Sequence, residues 1–77
     1  MLLYNLKVGQ KAIIKKISVD DNIKRRLYDL GLIDNTIIEC LFKSPLNEPK
    51  AYLVKDTIIS LRKEETKRIE VDLLWKN

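Results

Sequence analysis

Ile23, Leu27 and Leu30 are spaced by four and then three residues, which lays one apolar stripe down a short helix. Asp20 and Asp21 precede the stripe, and either can cap the helix start and place negative charge at the positive end of its dipole. Gly31 follows as the left-handed stop, with Leu32 placed to pack back on Leu27. The pattern predicts a helix over about residues 21–30. Its outward side is basic, with Lys24 and Arg25 exposed, Arg26 at the edge and Tyr28 among them.

Elsewhere the pattern is one of short strands. Lys11 to Ser18 offers Ala12, Ile14 and Ile17 as inward residues, and the change of spacing implies a bulge near Lys15-Lys16. From Thr36 to Lys43 the chain is rich in β-branched and aromatic residues, and Ile38, Cys40 and Phe42 alternate with Ile37, Glu39 and Leu41 as the two faces of a strand. Ser44-Pro45-Leu46-Asn47-Glu48-Pro49 is read as a loop, because two prolines cannot sit in a continuing ladder. Tyr52 and Val54 face inward before a turn at Lys55-Asp56-Thr57, and Ile59 and Leu61 line the returning strand. Lys63 to Thr66 reads as a helical turn, placed near 63–67, before a last strand carrying Ile69 and Val71. The result is a mainly β chain: a small barrel of about five strands with one short inserted helix.

Length and composition narrow the picture. Seventy-seven residues make one domain, 1–77, near the lower size at which a single hydrophobic core suffices. No apolar run approaches the roughly twenty residues needed to span a bilayer, and no signal-peptide pattern opens the chain. A single cysteine forms no internal disulfide, so the expected location is cytoplasmic. The net charge of +4 is uneven: residues 1–30 hold seven Lys or Arg against three Asp, whereas residues 31–77 hold eight basic and eight acidic residues. The excess positive charge therefore falls on the first strand and the helix. Such a face suits an acidic protein partner, and less well a nucleic acid or an anionic membrane surface. Only four of the fifteen cations are Arg, and aromatics do not interleave with the basic stretches, which argues against nucleic acid.

Catalytic chemistry has little to stand on. The absence of histidine removes the commonest general base and metal ligand at neutral pH. Cys40 lies mid-strand between apolar neighbours and reads as a small buried hydrophobe. Gly9 and Gly31 are too far apart to cradle a phosphate, and Glu64-Glu65 reads as a solvated pair. The chain is expected to be no enzyme, to carry no cofactor, and to offer ferrous iron only weak, unselective carboxylates.

Three blocks carry a family resemblance. Arg25-Arg26-Leu27-Tyr28-Asp29-Leu30-Gly31-Leu32, Ser44-Pro45-Leu46-Asn47-Glu48-Pro49 and Ile59-Ser60-Leu61-Arg62-Lys63-Glu64-Glu65 occur in the order and spacing of the FeoA family. The resemblance runs from about Leu3 to Val71. It departs at Asp34-Asn35, where the family often has Pro-Gly, and at Asn47-Glu48, where it often has Gly-Asp. Asn and Asp both tolerate positive φ, so turns remain available. The resemblance implies an SH3-like barrel and a partnership with FeoB, a ferrous iron transporter that couples a cytosolic guanine-nucleotide-binding domain to a membrane pore.

A chain of this kind is expected to be an interaction module, acting as a monomer or weak oligomer, that docks on the cytosolic part of FeoB and is thereby recruited to the inner membrane face. The expected contact residues are Lys24, Arg25, Arg26, Tyr28, Leu32, Ile33 and Arg62. Two other classes compete. One is a nucleic-acid-associated or metal-dependent-regulator domain, since such SH3-like domains resemble the C-terminal domains of iron-dependent repressors; a preceding helix-turn-helix to read DNA is missing. The other is an activator lending Arg25, Arg26 or Arg62 to the guanine-nucleotide site, which nothing in the spacing marks. From the poor ligand set, micromolar Fe(II) or Zn(II) should leave the melting temperature unchanged, since a ligand stabilises only in proportion to its affinity for the folded state. A chelator-reversible rise of several degrees would reveal a metal site.

Overall fold

The computed structural model describes residues 1–43 and 49–74, with the side chain of Lys43 left aside. A 3-10 turn at Leu3–Asn5 leads to β1 (Lys11–Ile17), α1 (Asp21–Asp29), β2 (Ile37–Lys43), β3 (Lys50–Val54), β4 (Thr57–Leu61), α2 (Lys63–Thr66) and β5 (Ile69–Leu73). All five strands join one antiparallel sheet in the order β4-β3-β2-β1-β5. Among the described residues β4 and β5 do not pair, so the ladder stays open between them. The expected loop at Ser44–Pro49 lies outside the described residues save for Pro49, which stands in a bend before β3.

Alternation places the core. Ala12 and Ile14 are buried from β1, Ile38 and Cys40 from β2, Tyr52 and Val54 from β3, Ile59 and Leu61 from β4, and Ile69 and Val71 from β5. The β1–β5 register slips between Ile14 and Lys16, at the bulge that the spacing of Ile14 and Ile17 implies. A second irregularity has no counterpart in the residue spacing. Between Cys40 and Phe42 the β2–β3 register also slips, so Phe42 pairs with Ala51 instead of the next residue in phase. The extra residue reverses the facing of the strand end, and Phe42 is 57% exposed where simple alternation puts it inside.

A domain of this size fills its core from its connections as well. Leu3 and Leu6 are buried from the N-terminal segment, and Leu27 and Leu32 from the β1–β2 connection. Ile23 and Leu30 pack against that core while staying partly accessible. The Lys7–Gln10 turn is closed by the Gln10 N–H donating to the Lys7 carbonyl at 2.9 Å, with Gly9 at φ +87° in the position that needs it.

Leu27 has no accessible surface and belongs to the one core cluster to which all five strands contribute. Leu27→Ala is therefore expected to cost about 2–5 kcal/mol, a large part of the roughly 4–12 kcal/mol available to a domain of this size. Thermal or denaturant unfolding checks this, and an unchanged melting temperature would overturn the helix's place in the core.

Candidate functional site

The helix α1 is fixed at both ends by the residues the sequence marks. Asp20 is the N-cap, its carboxylate accepting from the Ile23 N–H at 3.0 Å. At the other end the Gly31 N–H donates to the Tyr28 carbonyl and the Leu32 N–H to the Leu27 carbonyl, each at 2.9 Å. That pair of bonds is the Schellman closure, and Gly31 adopts the φ of +97° it requires. Asn35 then takes φ +70°, the positive-φ turn residue at one point where the chain departs from the family pattern.

Orientation of the outer residues follows from the burial of Leu27. Arg25 is exposed, and Tyr28 is 41% exposed with the Lys24 ammonium 5.7 Å from its ring centre. Lys24 is half-buried rather than fully outward. Ile33, 38% exposed, lies directly beyond the Gly31 stop. Leu32 corrects the expectation: it has no accessible surface, because the Schellman turn drives the residue after the glycine back onto Leu27. Leu32 is a core group, and Ile33 is the exposed aliphatic side chain beyond the stop.

Arg26 reaches across to α2 and pairs with Glu65 Oε2. The same carboxylate accepts from the Arg62 backbone N–H through Oε1 at 3.1 Å, the reach-back bond of a helix N-cap. Arg26 and Arg62, separated by 36 positions in the chain, thus meet on one acidic group. Beside it, Val19, Asp20, Ile23, Glu64, Glu65 and Arg68 line an open cleft between the start of α1 and α2. No three acidic or cysteine groups among the described residues come together as a metal site.

Sequence reasoning missed a second cationic cluster. Tyr4 carries the ammonium groups of Lys50 and Lys67 at 5.0 and 4.9 Å from its ring centre, and Lys50 Nζ also donates to the Tyr4 carbonyl at 2.7 Å. Neither lysine belongs to the basic first part of the chain, and no local spacing signals their approach. Inside the sheet, burial foremost and the neighbouring Cys40 second push the Tyr52 phenol well above its ordinary range. Among the described residues the hydroxyl has no hydrogen-bond partner, and Cys40 is buried beside it, so neither group is presented to a substrate.

Comparison with known proteins completes the picture. The FeoA domain model matches residues 1–73. A fusion protein of Porphyromonas gingivalis, an Fe(2+) transport protein A joined to the transporter FeoB, is 30% identical over the whole chain, which spans only 9% of that protein's length. A Campylobacter jejuni protein described as Fe(2+) transport protein A is 35% identical over 74 residues, 96% of this chain and 100% of its own. The structure is similar to that of Stenotrophomonas maltophilia FeoA, solved with zinc and described as a prokaryotic SH3 domain protein; the TM-score is 0.77 with 32% identity, over 94% of this chain and 89% of the other.

The Arg26–Glu65 pair is open to solvent on the arginine side, so its net worth is small. A double-mutant cycle with Arg26→Ala and Glu65→Ala, read by denaturant unfolding, should give a coupling below about 1 kcal/mol. Glu65→Ala alone should cost more than Arg26→Ala, because it also strips the Arg62 amide of its acceptor. A coupling well above this would make Arg26 a structural group with nothing to spare for a partner.

Proposed function

This chain belongs to the FeoA family, and from that premise we propose that it is a non-catalytic module of ferrous iron uptake that docks on the cytosolic part of a FeoB-type transporter and modulates it. The observation that carries this reading is the P. gingivalis relative, in which the same domain is joined to FeoB in one polypeptide. Covalent joining raises the effective concentration of two modules and is useful chiefly where they touch. The absence of any histidine and the burial of the lone cysteine favour a contact role over a chemical one.

The docking face proposed is the outer side of α1 and the turn after it. Arg25 supplies exposed charge, Tyr28 and Ile33 supply apolar surface, and Lys24 lies beside the Tyr28 ring. Arg26 and Arg62 border this face through their shared carboxylate. The four cations suit an acidic surface on the partner. Modulation requires only that the module bind one state of the transporter more tightly than another; the difference in affinity is the shift it can impose.

Two substitutions separate steering from anchoring. Arg25→Glu should slow association with FeoB's cytosolic part and flatten its salt dependence, because exposed charges act mainly on encounter. Tyr28→Ala should speed dissociation, since binding energy concentrates in a few aromatic or apolar anchors. Surface plasmon resonance at two salt concentrations, after each variant is shown to fold, reads both effects. If both variants bind as the natural chain does and support ferrous iron uptake fully, this face is not the docking surface.

A further inference from the structure

We propose that the outer edge of β4 is a self-association surface, occupied by β4 of a second copy of this chain running antiparallel about Ile59. This goes beyond the transporter contact and uses a different part of the molecule.

The two ends of the sheet are treated differently. Alongside β5, Leu2 forms a bridge with Glu70 and the Val71 N–H donates to the Met1 carbonyl at 2.7 Å, so that edge is covered. Among the described residues β4 has a strand neighbour on one side only, β3. The bonding phase identifies the backbone groups left over. The Cys40 N–H turns to the Gln10 carbonyl at 3.1 Å, away from β3, so the Cys40–Tyr52 pair is a non-bonded one. Tyr52 accordingly bonds to Ile59 on its other side, and the Val54–Thr57 pair closes the two-residue turn. Ile58 and Ser60 therefore direct their N–H and carbonyl groups outward from the sheet. Edge strands are ordinarily protected by charge, proline or a bulge. Thr57–Leu61 has no charged residue and no proline, its register with β3 is unbroken over five pairs, and Ile58 is 62% exposed.

The occupant follows from self-complementarity. Turned end for end about Ile59, the strand sets Ile58 opposite Ser60 of the second copy, and Ser60 opposite its Ile58. All four residues carry outward-facing backbone groups, so both bonded pairs form. A shift of one residue would oppose those groups to ones already bonded to β3, and a shift of two would shorten the overlap from five residues to three. In the centred register Asp56 lies opposite Arg62 of the second copy at each end, an attractive charge pair made twice. The small Ser60 leaves room for the two Ile58 side chains to approach on the diagonal. The strand edge is smaller than a standard interface, which places the affinity at about 0.1–1 mM.

Sedimentation of the full chain from about 20 µM to about 2 mM should show a reversible monomer–dimer equilibrium. Ile58→Lys should weaken the dimer at least tenfold with an unchanged melting temperature. Asp56→Arg and Arg62→Asp should each weaken it alone, while an equimolar mixture of the two should associate more tightly than either, because every end pair is then of opposite charge. Amide exchange of Ile58 and Ser60 in the natural chain should slow as concentration rises. A chain that stays monomeric throughout, a dimer indifferent to Ile58→Lys, or a mixture no tighter than its components would each overturn the proposal, and the first would leave the edge to an unlike partner.

Discussion

The hydrogen bond from the Leu32 amide to the Leu27 carbonyl, 2.9 Å long, is the contact on which the functional arrangement depends. A nine-residue helix is too short to hold itself in water, so α1 owes its stability to its caps and to Leu27 in the core. The Schellman closure turns the chain so that Leu32 joins Leu27 inside. With that face committed, helical geometry leaves Arg25 and Tyr28 on the outside. Gly31 is required for its φ of +97° and not for want of space, since an added Cβ would meet Val54 Cγ1 only at an ordinary 3.6 Å. A substitution there would act on the direction in which the chain leaves the helix.

Charge acquires its meaning only in space. Counted along the chain, all the excess lies in the first thirty residues, yet the structure divides the cations differently. Arg26 is partly occupied by Glu65, and Lys15 lies 3.8 Å from Asp72, both exposed. Lys50 and Lys67, from the neutral part of the chain, converge on Tyr4. The exposed positive charge on α1 is thus smaller than the count implies. What marks that face is charge beside exposed apolar groups, Arg25 next to Tyr28 and Ile33, a combination that a merely solvated helix back does not need.

Much of the architecture is legible in the residue pattern because local chemistry writes it. The caps at Asp20 and Gly31, the β1 bulge and the inward sets of the strands all arise from spacings of one to four residues, and the three family blocks point to the fold. The features that escape are consequences of pairing between distant segments. The β2 bulge that exposes Phe42 exists only against β3, and the Tyr4 cluster joins residues 46 and 63 positions apart. Leu32 departs from its expected place for a subtler reason. Its position after the glycine marks the closure correctly, but the same turn that packs it on Leu27 removes it from the surface, so one residue cannot serve both as closure and as anchor.

Arg62 stands where the two proposed surfaces come nearest. It comes directly after β4 and caps α2, and its amide rests on the carboxylate that also holds Arg26. In the β4 pairing its side chain faces Asp56 of the second copy, whereas in transporter docking it borders the α1 face. One guanidinium cannot be fully committed to two acidic partners at once. Were both proposals to hold, self-association and docking would be linked with negative sign: each copy drawn into a dimer would offer the transporter a poorer face, and by reciprocity a docked copy would pair less well with a second. The link is confined to one exposed charge and its strength is correspondingly modest. Its consequence would be one of dose: the monomer would be the docking form and the weak dimer a reserve that fills only where the chain is concentrated.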